Sequence, residues 1–445
     1  VVSLHLIEAL SKADSIAIAG ASPVEGKVGN TILKNILTWG FKGRIYPINP
    51  KYDVILGIKA YRSIEDLPQP PDILVIATPG SEIASLINSA SKFGTKLAVI
   101  ISSSMEGDQN ALKSLARSKG PRIIGPNSAG ISLSSFDLHA SIEIPPTKGR
   151  VGIIAQSGAV GGALISYLAD LSSGASFFFS LGNSLDVGVE EALEYAAYDS
   201  STESVVAYVE WVREGGRFLS SLKLLRERGK PVCILKGGRG ETSIKAASSH
   251  TGGIASDYSI FKAAVNQAGG YLASDIDELA EICEVLRRIK IRGKGIRPLL
   301  VTNSGGVGVI AASFMDEFGI KIVEPSLIEI LPERFRKKVK LANPLDLGGD
   351  SSIDDALEVL RNEEIKKEFD ISVLIYVPTA AEGPEKIGNA VKNASKSFSL
   401  PTIGLFAGAG SREVMKQVSS HIPVVSSSSN LARAILALEK SHSYH

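Results

Sequence analysis

A chain of 445 residues with 44% hydrophobic content can bury large cores, and at the usual domain size of roughly 100–200 residues it should divide into three domains. Forty-eight basic residues against forty-seven acidic ones leave a formal charge of +1, which excludes the overall positive field of a nucleic-acid or anionic-membrane binder. Cys233 and Cys283 form neither a metal-type spacing nor a disulfide framework, and no run approaches the roughly 18 uninterrupted apolar residues of a membrane span, so the expected setting is the cytoplasm.

Taken in chain order, one pattern begins three times: a short β-rich apolar run, a turn of small residues, then an amphipathic stretch of helical period. The run 16–19 leads into Gly20-Ala21-Ser22, the run 151–155 into Gln156-Ser157-Gly158, and the run 299–302 into Asn303-Ser304-Gly305-Gly306. Further apolar runs at 73–78, 98–102, 205–210, 232–236, 371–377 and 402–406 alternate with helix-length segments, the signature of parallel sheets covered on both faces. Polar, glycine- or proline-bearing joints at 145–149 and 292–298 divide the chain into 1–146, 147–294 and 295–445. The expected fold class is α/β, with three doubly wound modules whose ligands sit beyond the carboxyl ends of the strands.

In the first module, Gly20 and Ser22 lead through Lys27 to Gly29, small residues and a cation where amides at a helix start can meet a pyrophosphate. Asn49-Pro50-Lys51 closes the next strand, Thr78-Pro79 another, and Gly125-Pro126-Asn127-Ser128 a later one. A dehydrogenase wants an acidic residue about 20 residues past the glycines to hold a ribose diol. Lys51 there suits a phosphorylated ribose, as in the 3′-phosphate of CoA, and leaves NADP open on charge alone.

The second module carries a loop of small residues, Lys236-Gly237-Gly238-Arg239-Gly240 and then Ser248-Ser249-His250-Thr251-Gly252-Gly253, directly after a predicted strand. A long loop without hydrophobic anchors is usually functional or disordered. A neutral imidazole nitrogen can attack phosphorus while the other ring nitrogen gives its proton to a fixed acceptor, and Glu210, at the end of the strand 205–210, is an available acceptor unless it is only a solvated strand-end glutamate. Expected helix starts at Ser157-Gly158 and Gly182-Asn183-Ser184 can hold phosphoryl oxygens with backbone amides. Neither a second histidine nor a cysteine lies at ligand spacing from His250, so no metal site is expected. An NADP-dependent oxidoreductase leaves this loop without a use, and a CoA-sensing regulatory protein leaves both His250 and Glu210 without one.

On Gly20-Ala21-Ser22, Asn49-Pro50-Lys51, Gly125-Pro126-Asn127, Gln156-Ser157-Gly158, Gly182-Asn183, Glu210 and Ser249-His250-Thr251-Gly252, the chain resembles the α subunit of NDP-forming acyl-CoA synthetases, relatives of the succinyl-CoA synthetase α subunit. The resemblance covers essentially the whole chain, and the third module looks like the extra domain that distinguishes this family from the shorter succinate enzyme. It implies a Rossmann-like CoA-binding domain followed by two flavodoxin-like domains. It further implies phosphorylation of His250, orientation of that ring by Glu210, and phosphate held by Gln156, Ser157, Gly158, Gly182 and Asn183. CoA would be held by Gly20, Ser22, Lys27, Asn49, Pro50, Lys51, Thr78, Pro79 and Asn127. The implied reaction is acyl-CoA with phosphate and ADP giving the free acid, CoA and ATP, the nucleotide and its Mg2+ lying on an ATP-grasp β subunit in an α2β2 assembly. Two departures from the family pattern stand in this chain: Ser102-Ser103-Ser104-Met105-Glu106 replaces Gly-Phe-x-Glu, and Ser128 takes the place of a cysteine.

Overall fold

The computed structural model describes residues 6–103, 109–118, 120–240, 242–243, 257–291 and 295–441. The continuous apolar runs become interior strands because both faces of each sheet are covered, leaving no polar alternation to preserve. The first sheet is built from β1 (Ser15–Ala19), β2 (Arg44–Ile48), β5 (Ile73–Ile76), β6 (Leu97–Ile100) and β7 (Arg122–Ile124), all parallel in the order β2-β1-β5-β6-β7. Between β2 and β5 the chain makes a small antiparallel ribbon, β3 (Val54–Ile55) with β4 (Ile58–Lys59).

The second sheet takes β8 (Gly130–Leu133), β9 (Leu138–Ser141), β10 (Lys148–Ala155), β11 (Ala175–Ser180), β12 (Ser204–Val209), β13 (Val232–Lys236) and β14 (Tyr271–Ala273) in the order β14-β13-β12-β10-β11-β8-β9. The third comprises β15 (Pro298–Thr302), β16 (Leu345–Asp346), β17 (Ile371–Tyr376), β18 (Thr402–Phe406) and β19 (Val424–Val425), parallel in the order β16-β15-β17-β18-β19. Counting the parallel strands of each sheet in chain order, all three sheets read 2-1-3-4-5. This doubly wound order has its switch point beside the first strand, so the turns after β1, β10 and β15 mark the ligand corners.

The described chain gathers into two compact units, Val1–Ser166 with Gly174–Ile276, and Tyr167–Ser173 with Asp277–His445. The first unit holds the first two sheets. Residues 130–141 lie on the amino-terminal side of the expected joint at 146, yet their strands hydrogen-bond into the second sheet, where Ile131 to Leu133 run antiparallel to Phe177–Phe179. The physical reason is edge protection: the ribbon covers the outer edge of β11. Phe177, Phe179 and Tyr195 meet at ring-centroid distances of 4.5, 5.0 and 5.1 Å in the core of this unit. Among the described residues, no helix is long and apolar enough to cross a membrane.

Candidate functional site

The corner of the first sheet forms because β1 ends in Gly20, whose φ of 86° lies in the left-handed region. A Cβ there would stand 2.8 Å from the Ala77 carbonyl oxygen, and one on Gly29 would stand 2.0 Å from the Gly20 oxygen, so the helix Val28–Trp39 starts directly against the turn. The helix has no acidic residue in its first turn and no side chain capping it, which leaves its positive end facing outward. Hydrogen bonds draw the neighbouring strand ends together: Gly20 N–H to the Ile48 carbonyl at 3.1 Å, Asn49 Nδ2 to the Ala21 carbonyl at 2.8 Å, and Ala77 N–H to the Ala19 carbonyl at 2.9 Å. Ser102 donates to the Thr78 carbonyl, and Asn127 N–H to the Ser102 carbonyl at 2.9 Å.

Gly20, Asn49, Thr78 and Asn127 thus line one edge, joined by these main-chain and side-chain bonds, with Ser22 in the same turn as Gly20. Lys27, Pro50, Lys51 and Pro79 are exposed around it. The Thr78 hydroxyl oxygen is buried and has no partner among the described residues, an unsatisfied group in the cradle that a ligand's polar atom can take up.

The corner of the second sheet is joined to that edge. Asn183 N–H donates to the Pro126 carbonyl at 2.9 Å, Leu185 N–H to the Gly125 carbonyl at 3.0 Å, and Asn127 Nδ2 approaches Asn183 Oδ1 at 3.4 Å. The expectation of a helix start at Gly182-Asn183-Ser184 is corrected here. These residues form a turn, and the helix Val189–Tyr198 begins later. The turn is held by its bonds to 125–126 and by left-handed backbone at Gly182 and Ser184, φ 52° and 50°, which a helix cannot accommodate. The other expected start is found: β10 ends at Ala155, Gln156-Ser157 make the turn, and the helix Gly158–Asp170 follows with no acidic residue in its first turn.

Gln156 is 3% exposed, and its carboxamide works as a tie. Its Oε1 accepts the N–H groups of Glu210 at 2.6 Å and Trp211 at 3.0 Å, and its Nε2 donates to Ser184 Oγ at 3.2 Å. The turns after β10, β11 and β12 therefore share one side chain.

Glu210, 7% exposed, follows β12 directly. Burial first, and then the charge of the nearby Glu210, push the Tyr208 phenol up to about 12. The Glu210 Oε2 atom is buried without a partner among the described residues. The carbonyl of Glu210 accepts the buried Lys236 ammonium at 2.6 Å, and Gly237, the first residue of the loop, lies flat against the pair: a Cβ there would be 2.6 Å from the Tyr208 hydroxyl. His250 belongs to 244–256, outside the described residues.

Sequence reasoning missed Tyr208, Lys236 and the charge cluster that braces the corner. Arg122, 4% exposed, bonds Asp186 at 2.8 Å through Nε and Glu191 at 2.7 Å through Nη2, and Asp186 also accepts the Ile123 N–H at 3.0 Å. Burial works against the Glu191 charge, but Arg122 overrides it and holds the carboxyl below its usual value. Lys236 had a sequence signal, a lysine closing the apolar run 232–236 where buried strands rarely place one.

A cradle of small residues at one doubly wound corner, joined to a second corner with a positive helix end and a buried carboxylate, defines a doubly wound α/β class whose corners suit anionic groups. Residues 14–134 match the model of a CoA binding domain, and residues 148–286 that of a succinyl-CoA ligase like flavodoxin domain. The chain is 31% identical over 440 residues to the α subunit of ADP-forming acetate–CoA ligase II of Pyrococcus furiosus, covering 95% of each chain. It is 35% identical over 398 residues to ADP-forming acetate–CoA ligase I of Archaeoglobus fulgidus, covering 86% of this chain and 57% of that one. It thus spans about half the length of some relatives it matches. Among solved structures, the dinucleotide-forming acetyl-coenzyme A synthetase 1 of Ca. Korarchaeum cryptofilum, in complex with phosphate and ADP, superposes with a TM-score of 0.86 at 29% identity, covering 98% of this chain and 96% of that one. The chain belongs to the family of ADP-forming acetate–CoA ligase α subunits.

Proposed function

We propose that this chain is the CoA-binding, histidine-phosphorylated part of an ADP-forming acyl-CoA synthetase, using acetyl-CoA or a similar acyl-CoA. A phosphate oxygen attacks the thioester carbonyl, the C–S bond breaks, and CoA leaves as the thiolate, giving an acyl phosphate. An imidazole nitrogen of His250 then attacks phosphorus, the carboxylate leaves, and the second ring nitrogen passes its proton toward Glu210. ADP takes the phosphoryl group from His250, restoring the ring and forming ATP. The domains of this reading are 1–146 for CoA, 147–294 for the phosphohistidine chemistry and 295–445 as a second flavodoxin-like domain. The nucleotide and its Mg2+ belong to an ATP-grasp β subunit, in an α2β2 assembly, or to a fused segment of the kind that longer relatives leave room for.

The observation that carries the reading is the Glu210 oxygen, buried without a partner among the described residues at the root of the loop that bears His250. A buried carboxylate oxygen left unmatched is costly, and an imidazole N–H is the donor the reaction supplies. Helix Gly158–Asp170 offers amides at its start for the phosphoryl oxygens, and the turn at Gly182-Asn183 adds the Asn183 side chain, its N–H being taken by the Pro126 carbonyl. Gln156 supports them by fixing the turns, since both of its accepting positions are taken by main-chain N–H groups.

The test is to combine the chain with an ATP-grasp β subunit and labelled ATP with Mg2+. An acid-labile, base-stable label is expected on the wild-type chain, absent from His250→Ala, together with phosphate-dependent ATP formation from acyl-CoA. Full labelling of His250→Ala would remove the histidine from the mechanism. Tighter calorimetric binding of a nicotinamide dinucleotide than of CoA would overturn the CoA assignment.

A further inference from the structure

Lys236 has no part in the mechanism above, yet it is 2% exposed at the carboxyl end of β13. A buried lysine is uncommon, and its ammonium requires specific partners. In the register of the sheet it lies beside Val209, while Tyr208 and Glu210 alternate to the other face. Its stem therefore enters the helical layer, where the ammonium stands 5.6 Å from the centre of the Phe261 ring, and Phe261 stacks on Phe218 at 5.5 Å. From there it turns back to the main chain, donating to the Glu210 carbonyl at 2.6 Å and to the Gly237 carbonyl.

These two carbonyls belong to the residue that follows β12 and to the residue that opens the loop. One cation joins the acceptor of the site to the root of the loop that bears the histidine. We propose that Lys236 is a positioning residue: its ammonium fixes the main chain of Glu210 and Gly237 relative to each other and so sets where the Glu210 carboxylate stands at the root of the loop. The inference rests on the phosphohistidine reading for its catalytic consequence, while the tie itself does not.

The electrostatic surroundings agree. Burial lowers the Lys236 pKa, and the charge of Glu210 opposes that shift. The charged and titratable groups grouped with Glu210 are Tyr208 from β12, Lys236 from β13 and Arg239 from the loop root. Arg239 is itself committed, its Nε to the Lys236 carbonyl at 3.1 Å and its Nη2 to the Ala273 carbonyl at 2.8 Å, so it braces the same root against β14. Tyr208 contributes a neutral hydroxyl. Lys236 is left as the cation whose ammonium is bound to Glu210's own main chain.

The experiment compares Lys236→Met and Lys236→Arg in the full chain with its nucleotide-binding partner. With Lys236→Met, the rate of histidine labelling by ATP should fall at least about tenfold while the KM for ATP stays unchanged, because the carboxylate is no longer held in place at the loop root. Lys236→Arg should restore part of the rate. In a Glu210→Gln background, Lys236→Met should cost little more, since the two act through one group. A reading independent of activity is amide hydrogen exchange without nucleotide, which should rise at Glu210, Trp211 and Gly237 in Lys236→Met. A labelling rate that falls together with a raised KM for ATP and without rescue by arginine would reduce Lys236 to a packing residue and overturn the proposal. Unchanged exchange at those amides would overturn the tie. Absence of label in the wild-type chain would instead sink the phosphohistidine reading, leaving the exchange result to judge the tie alone.

Discussion

The corners of the second and third sheets share a topology and differ in what they leave unmet. In both, a carboxamide after the first strand clasps the end of the third: Gln156 accepts the N–H groups of Glu210 and Trp211, while Asn303 accepts Val377 N–H at 2.9 Å and donates to its carbonyl at 3.0 Å. In the third sheet the charges close on themselves. Asp346 lies against the start of helix Gly305–Glu317, where a Cβ on Gly305 would meet its Oδ2 at 2.5 Å, so a carboxylate of the chain occupies the positive helix end. Glu382 accepts the Tyr376 hydroxyl, takes the Ile353 N–H at 2.8 Å and pairs with Lys386 at 2.7 Å. In the second sheet the helix Gly158–Asp170 has no acid in its first turn, and Glu210 keeps an oxygen without a partner among the described residues. One scaffold thus yields a corner whose carboxylates meet the chain's own helix end, hydroxyl and ammonium, and one whose helix start carries no acid. The difference lies in a few residues at strand ends rather than in the fold.

The sharpest way to break this contrast is to neutralise the matching carboxylates. Glu210→Gln should slow histidine labelling by about two to four orders of magnitude, since an amide cannot stabilise the imidazolium, whereas Glu382→Gln should leave labelling unchanged. Rapid-quench measurement of both variants decides it, and equal slowing would abolish the distinction between the corners.

Removing the carboxamide ties comes next in size. Gln156→Leu and Asn303→Leu should each destabilise the fold by about 1–3 kcal/mol for every main-chain group left unmatched, as read from urea unfolding. Only Gln156→Leu should also depress labelling, because its turns present the phosphate amides. If Asn303→Leu depresses it equally, the third corner takes part in the chemistry.

The smallest effect concerns pH. Glu191 and Glu382 are both held below the ordinary value of 4.5 although burial opposes the charge, Glu191 by Arg122 and Glu382 by Lys386 and the Tyr376 hydroxyl. A carboxyl lowered in the folded state contributes stability that is fully present above 4.5 and is lost as pH falls through the folded value. Urea midpoints should therefore drop as the pH is taken below 4.5, and Glu382→Gln should flatten that fall. An unchanged acid slope in that variant would assign the loss to other carboxylates, Glu191 among them.

The sequence by itself determined the class of fold, the three starting strands and the turns that follow them, because a strand buried on both faces must be apolar throughout and a turn against a helix start must be small. It also placed Glu210 at a strand end and Gln156-Ser157-Gly158 at a helix start, since both are local properties of the chain. Tertiary structure decided everything that depends on partners distant in sequence. It made Gln156 a tie between three turns, and turned Gly182-Asn183-Ser184 from a helix start into a turn bonded to residues 125–126. It carried the strands of 130–141 into the second sheet and set Arg122 between Asp186 and Glu191, 64 and 69 residues away. It also folded the Lys236 ammonium back onto Glu210, 26 residues earlier in the chain. Such pairings leave no periodic trace, because a single buried hydrogen bond constrains two residues and nothing between them.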